Sequence, residues 1–100
     1  MIRALEPVEG VARMRMNRGL EANARLRDVT GGPARLAEAY AVTRKRDNGK
    51  DMLSATSDLQ LREDNFSAGK IVVSRRVGIS KAVERPLRFY LDASECVSRR

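Results

Sequence analysis

The fold of this chain is decided at Thr30-Gly31-Gly32-Pro33-Ala34-Arg35-Leu36, which predicts the start of a helix. Two glycines free the backbone ahead of it, and Pro33 suits a first helical position because no N–H donor is needed there. Apolar residues then recur on one side of the predicted helix, at Leu36, Ala37, Tyr40 and Ala41. We therefore predict a helix from Pro33 to about Val42.

The same helix start has two interpretations. Its first-turn amides lack acceptors within the helix and lie at the positive end of the helix dipole, with Arg35 beside them. A phosphate bound at Gly32 and Arg35 would suit this arrangement. A plain cap without a ligand would use the same residues, so the pattern predicts the helix and leaves its ligand open.

Composition indicates one small globular domain or a part of one. The chain has 100 residues, of which 42% are hydrophobic and 33% charged. Twenty Lys and Arg against thirteen Asp and Glu give a formal net charge of +7. This balance favours nucleic acid or another polyanion as partner, although an ordinary basic protein kept soluble by its charge would have the same composition.

The residue types present exclude several chemistries within this chain. It contains no histidine, so no His-based acid–base pair or triad can lie wholly inside it. The single Cys96 permits neither an internal disulfide nor a cysteine zinc site, and we interpret it as a small core residue. No apolar run approaches the length of a membrane span and no signal-peptide pattern is found, which predicts a cytoplasmic location without membrane contact.

On the N-terminal side of the central stretch, periodicity predicts one strand and two helical segments. A short strand at residues 1–7 is ended by Pro7. A helix follows from Glu9 to Asn17, and a brief helical segment runs from Ala22 to Val29. The three arginines around the first helix fit either a phosphate-contacting edge or a solvated face.

On the C-terminal side, the pattern changes to turns and strands. Asn48-Gly49 is a strong turn signal after a basic cluster at Arg44-Lys45-Arg46. Strands are predicted around Leu59 and Leu61, at residues 70–74 with a continuation to residue 80, and at residues 87–91, where Phe89 and Tyr90 are expected to be core. The fold class is therefore α+β, with a mainly antiparallel sheet and a few short helices.

Four blocks in chain order resemble the alkyladenine (3-methyladenine, or methylpurine) DNA glycosylase family. They are Ile2-Arg3-Ala4-Leu5-Glu6-Pro7-Val8-Glu9-Gly10, Gly32-Pro33-Ala34-Arg35-Leu36, Val77-Gly78-Ile79-Ser80 and Arg85-Pro86-Leu87-Arg88-Phe89-Tyr90-Leu91. The first and last match the family's Leu-Glu-Pro-x-Glu-Gly and Arg-Pro-x-Arg-Phe-Tyr segments. Asn48-Gly49-Lys50-Asp51-Met52 also resembles its Asn-Gly-x-Asp-Leu turn.

The resemblance implies that residues 1–100 are the C-terminal half of a compact α+β domain. In the family this domain surrounds a curved, mainly antiparallel sheet, a barrel like the C-terminal domain of formyltransferases. Family members carry the catalytic glutamate upstream of the position that matches Met1, so no catalytic residue is expected in this chain. Glu6 and Glu9 match a motif that is structural in the family. No cofactor and no metal are implied.

The implied function is base-excision repair of double-stranded DNA that contains an alkylated purine. Family members flip that purine out of the duplex and hydrolyse its N-glycosidic bond with water activated by the glutamate. By resemblance, Arg3, Val77 and Gly78 contact DNA at the pocket edge, and Gly32 and Arg35 bind phosphate. Arginine replaces the family's lysine at Arg35, which keeps the charge and changes the geometry.

Two alternatives stay open at this point. The chain could be a non-catalytic DNA-binding remnant, or a half-domain that a separate N-terminal chain completes. In each case we expect the 100-residue chain by itself to be inactive. We expect it in the cytoplasm, and associated with the nucleoid if the source is bacterial.

Overall fold

A computed structural model describes residues 1–75 and 85–97 of the chain. Within these residues there are four short helices and a two-stranded antiparallel sheet. In chain order the elements are α1 (Val11–Asn17), α2 (Leu26–Thr30), α3 (Pro33–Ala39), α4 (Arg44–Asp47), β1 (Ile71–Ser74) and β2 (Arg88–Leu91). The α+β class is confirmed, whereas the barrel-like sheet implied by the resemblance stays a prediction.

Helix α3 begins where the central stretch predicts it. Gly32 has φ 139° and ψ 153°, a conformation open in practice only to glycine, and Pro33 takes the first helical position. The Leu36 N–H donates to the Gly32 carbonyl at 2.8 Å, which closes the first turn. The helix ends at Ala39 rather than near Val42, because Ala41 has a left-handed φ of 54° that turns the chain away.

Helices α1, α2 and α3 pack around a small core. Each contributes one buried hydrophobic residue to it, and these are Met14, Val29 and Ala39. The Asn17 Nδ2 donates to the Ala39 carbonyl at 2.8 Å and ties the end of α1 to the end of α3. Helix α1 ends at Asn17 as predicted but begins at Val11, two residues after the predicted start at Glu9, because the left-handed Gly10 is its N-cap.

Helix α2 is shorter than the predicted segment from Ala22 to Val29. The Arg15 guanidinium donates to the Ala24 carbonyl, with an Nη2–O distance of 2.9 Å. That carbonyl would otherwise accept the Asp28 N–H in a longer helix, and this N–H donates to the Arg25 carbonyl instead. A distant side chain therefore sets the start of this helix.

The N-terminal strand predicted at residues 1–7 is wrong in its extent. Within the described residues it is reduced to one antiparallel bridge, between Ala4 and Gly31. Gly31 lies between two helices, so the chain there offers a single extended residue for pairing. The Thr30 hydroxyl also donates to the Leu5 carbonyl at 2.6 Å. Cys96 is buried in this region, as its interpretation as a core residue predicts.

Strands β1 and β2 confirm two of the predicted strands. Ile71 pairs with Leu91 and Val73 pairs with Phe89 in the antiparallel register. The core position predicted for Phe89 is wrong, because this side chain is 66% exposed. Tyr90 is half-buried on the other face, where the Arg88 guanidinium carbon lies 4.5 Å from its ring centroid. The predicted continuation of β1 as far as residue 80 lies beyond the described residues.

The strand predicted around Leu59 and Leu61 does not form. The Gln60 side-chain amide donates to the Ala55 and Ser57 carbonyls at 2.8 Å each, and the Leu61 N–H donates to the Met52 carbonyl at 2.8 Å. These local bonds form a folded loop instead of a ladder. The turn predicted at Asn48-Gly49 is confirmed, with Gly49 at φ 84°.

Helix α4 contains the basic cluster Arg44-Lys45-Arg46, a segment for which the sequence predicts no helix or strand. Thr43 is its N-cap, and the Thr43 hydroxyl accepts the Arg46 N–H at 3.2 Å. The Asp47 carboxylate reaches back to the Thr43 N–H at 2.8 Å. A threonine followed by an acidic residue one turn later was the available signal for this helix.

Candidate nucleic-acid interface

The bridge between Ala4 and Gly31 joins the backbone next to two predicted site positions, Arg3 and Gly32. It is an isolated bridge, so the pairing does not extend to Arg3 and Gly32, the residues next to its two partners. The Arg3 side chain is exposed and has no ion pair or hydrogen bond within the described residues. The N-terminal segment thus brings the backbone next to Arg3 to the start of α3.

The start of α3 offers fewer free donors than its sequence predicts. The Gly32 N–H donates to the Thr30 carbonyl at 3.2 Å, so Gly32 contributes its backbone conformation rather than a free amide. The Ala34 and Arg35 amides have no acceptor among residues 1–75 and 85–97. The Arg35 side chain is 46% exposed and folds back, with Nη1 3.4 Å from the Arg27 carbonyl oxygen and 3.5 Å from Asp28 Oδ1.

Asp28 is the acidic residue that pairs with Arg25 and Arg35. Its Oδ2 accepts from Arg25 Nε at 2.9 Å, and its Oδ1 faces Arg35. The hydrogen bond from Arg25 lowers the pKa of Asp28, and the positive charges of Arg25, Arg35 and Arg27 lower it further. Its backbone carbonyl accepts from Arg18 Nη2 at 3.0 Å, which anchors Asp28 to α1. The sequence interpretation missed Asp28, although the i, i+3 spacing from Arg25 was a usable signal.

A second charged cluster surrounds Asp47. Its carboxylate is 6% exposed and contacts Lys50 Nζ at 2.6 Å and Arg46 Nη2 at 3.1 Å. Lys50 Nζ also lies 2.8 Å from Asp58 Oδ1. The Lys50 hydrogen bond, then those of Arg46 and the Thr43 N–H, hold the pKa of Asp47 well below its usual range. Two carboxylates and two cations balance here, so the cluster stabilises the turn after α4.

Several exposed basic side chains in the described ranges have no ion pair and no hydrogen bond. They come from the N-terminal segment, from three of the helices and from the ends of the hairpin strands. They are Arg3, Arg13, Arg27, Arg44, Lys45, Lys70, Arg75 and Arg85. In the described part of the chain these groups therefore present positive charge without a paired carboxylate, which attracts a polyanion.

The remaining predicted positions add no further geometry. Val77 and Gly78 lie outside the described residues. Glu6 and Glu9 precede α1 and are exposed. In the part of the chain that the structure describes, no group of three or more His, Cys, Asp or Glu side chains could hold a metal ion. In that same part, no helix has the length and apolar character that a membrane crossing requires.

Comparison with known proteins identifies the family of this chain. A family model described as methylpurine-DNA glycosylase matches residues 1–95. The chain therefore belongs to the methylpurine-DNA glycosylase family.

Curated relatives agree with this assignment. Proteins named provisionally as 3-methyladenine DNA glycosylases from Koribacter versatilis and Mesorhizobium japonicum are 51% and 48% identical over 98 residues. One from Francisella tularensis is 39% identical over 102 residues. The matches cover 98–100% of this chain and 47%, 45% and 51% of those proteins, respectively. The chain thus spans about half the length of the curated relatives it matches.

Proposed function

We propose that this chain acts in base-excision repair, as the part of a DNA glycosylase that holds duplex DNA carrying an alkylated purine. The observation that carries this proposal is the family match over residues 1–95. The relatives are named for 3-methyladenine, which supports an alkylated purine as substrate class. In this proposal residues 1–100 are the C-terminal half of the glycosylase domain, and the catalytic glutamate lies outside them.

The chain's own contribution is to hold the DNA backbone while a nucleotide is flipped. Arg3 and Arg35 act as phosphate contacts, since a guanidinium offers a planar fork of donors to phosphate oxygens. The bridge between Ala4 and Gly31, which are the chain neighbours of Arg3 and Gly32, supports a shared surface for the two arginines. Val77 and Gly78 are proposed at the pocket edge on the family resemblance alone.

A half-domain completed by further polypeptide is the second candidate. The observation that favours it is the exposure of large hydrophobic side chains, including Ile71, Val73 and Phe89 on one face of the hairpin. A finished domain rarely leaves so much apolar surface in contact with water. A half-domain of this kind could still bind DNA. It differs from a non-catalytic DNA-binding remnant because it would release a base once its partner is present.

The salt dependence of duplex binding tests the proposed function. With about two to four phosphate contacts, affinity is expected to fall by about one to two decades between 50 and 200 mM salt. Arg35→Ala should reduce the slope of log K against log salt by about 0.9, the loss of one contact. Arg62→Ala is the matched control, because Arg62 is exposed and bonds only to Gln60 within the described residues.

Equal slope losses in the two variants would contradict a defined phosphate site and indicate diffuse charge. In the same experiment the duplex carries a methylated purine, whose release is measured. No release by the 100-residue chain is expected, since the family's water-activating glutamate is not among its residues. Release that persists through purification would assign the catalytic role to an acid of this chain.

A further inference from the structure

Asp28 is surrounded by more positive charge than it can neutralise. Its carboxylate contacts Arg25 and Arg35, and Arg27 is its neighbour in the chain. Two guanidinium groups in contact with one carboxylate leave a surplus of positive charge here, and the charge of Arg27 adds to it. The carboxylate is 33% exposed and the two paired arginines are 71% and 46% exposed, so the surplus faces solvent.

The cluster around Asp47 is a charge-balanced and enclosed arrangement, with which the cluster at Asp28 can be compared. There Arg46 and Lys50 face two carboxylates, Asp47 and Asp58, and the Asp47 side chain is almost fully enclosed. No charge is left over and no ligand could reach Asp47. At Asp28, in contrast, positive charge is in excess and the carboxylate is accessible to solvent.

The two arginines at Asp28 are held unequally. Arg25 Nε lies 2.9 Å from Oδ2, a good charge-assisted hydrogen bond. Arg35 Nη1 lies 3.5 Å from Oδ1, at the limit of such a bond, and its second contact with the Arg27 carbonyl is also long at 3.4 Å. An exposed pair of this length is weak, so a phosphate that approached the start of α3 could take over the Arg35 guanidinium.

We propose that Asp28 is a built-in counter-ion that holds Arg35 beside the start of α3 and is displaced from it by a DNA backbone phosphate. Asp28 is a positioning residue in this scheme, and it lowers affinity for duplex DNA by competing for Arg35. A single free anion that replaces Asp28 at Arg35 gains little binding free energy, because it exchanges one exposed ion pair for another. A duplex gains more, because its further phosphates are also attracted by the other exposed basic side chains of the chain. The inference rests on the proposed function and adds Asp28 as the residue that controls the affinity of Arg35 for phosphate.

Replacement of Asp28 by its neutral isostere tests the competition. Asp28→Asn should bind duplex DNA about two- to fivefold more tightly at 100 mM salt, the equivalent of one exposed ion pair removed. Glu38→Gln is the matched control: it makes the same change in charge, but Glu38 pairs with Arg18, whose side chain is only 16% exposed. Equal gains in both variants would mean that net charge alone matters. Weaker binding of Asp28→Asn would mean that Asp28 assists binding. Either result overturns the proposal.

A double-mutant cycle shows whether Asp28 acts through Arg35. The gain from Asp28→Asn should disappear in an Arg35→Gln background, and its persistence there would overturn the proposal. The unchanged chain provides a test that does not depend on the folding of any variant. The ¹³C carboxyl resonance of Asp28 should shift when duplex DNA saturates the chain, and an unmoved resonance would contradict displacement.

The outcomes separate this inference from the proposed function. If the unchanged chain fails to bind duplex at 50 mM salt, the proposed function and the inference fail together. If it binds duplex and Asp28→Asn binds equally well, only the inference fails.

Discussion

Gly31 is a residue at which space, rather than backbone conformation, requires glycine. Its φ of −87° is open to any residue. A Cβ atom built there would collide with the Arg27 carbonyl oxygen and would lie 2.9 Å from the Cys96 carbonyl oxygen. Both are backbone atoms, so neither can rotate away. Gly31 therefore lets the end of α2 pack against the segment that contains Cys96.

We expect Gly31→Ala to lower the free energy of unfolding by at least about 2 kcal/mol, because the added methyl group overpacks a backbone crossing. Urea denaturation followed by circular dichroism measures this loss. Ala34→Ser is the control, since it adds one atom at an exposed position of α3 and should change stability by less than about 0.5 kcal/mol. A Gly31→Ala chain as stable as the unchanged one would refute the close packing.

At the scale of elements, α4 and the turn after it depend on Asp47. A helix of four residues has little stability of its own. The Asp47 carboxylate joins the Thr43 N–H before the helix to Lys50 after it. Helix α4 is stabilised because the Asp47 carboxylate binds residues on both sides of it.

This arrangement predicts a defined loss of stability in acid. The pKa of Asp47 is lowered in the folded chain from an ordinary value of 3.8, so the unfolded chain binds the proton more readily. The stabilisation is complete above about pH 5 and decreases as the pH falls below the ordinary value. We expect Asp47→Asn to be less stable at pH 7 and to lose less stability than the unchanged chain on acidification.

Urea denaturation between pH 5 and pH 2.5 measures the effect. Some acid dependence should remain in the variant, because the pKa values of Asp28 and Asp58 are lowered as well. Asp51→Asn is the control, since the Asp51 carboxylate has no ion pair in the described part of the chain. The same pH dependence in Asp47→Asn as in the unchanged chain would contradict the assigned role.

For the whole molecule, the distribution of apolar surface is the main feature. Ile71, Val73 and Phe89 share one face of the hairpin and are 55%, 52% and 66% exposed. Ile2 and Leu5 are also exposed, at 52% and 40%. In contrast, the core of helices α1 to α3 contains one fully or nearly buried hydrophobic residue from each helix. We therefore expect the isolated chain to be marginally stable.

We expect the isolated chain to bind 8-anilinonaphthalene-1-sulfonate (ANS) or to self-associate through the hairpin face. Val73→Thr combined with Phe89→Ser should reduce both signals, measured by dye fluorescence and analytical ultracentrifugation. Leu53→Ser is the control, because Leu53 is 80% exposed but lies outside the hairpin. A monomer that melts cooperatively without binding the dye would show that the chain is a self-sufficient domain.

Local signals in the sequence were sufficient for the elements that need no distant partner. Pro33 after two glycines predicted the start of α3, and the apolar spacing predicted α1. The strands at 70–74 and 87–91 were predicted because each is dense in β-branched or aromatic residues. The alternation at Leu59 and Leu61 failed as a signal, because within the described residues no strand pairs with this segment and its hydrogen bonds are made inside the loop.

The sequence by itself determined the α+β class, the excluded chemistries and, through its motifs, the family. The tertiary structure alone decided which side chains meet. It bridged Ala4 to Gly31 and joined Thr30 to Leu5, residues 25 positions apart that no periodicity relates. It also put Asp28 between two arginines and turned Phe89 outward. Periodicity reports the face on which a residue lies, whereas burial and charge pairing depend on what packs against that face.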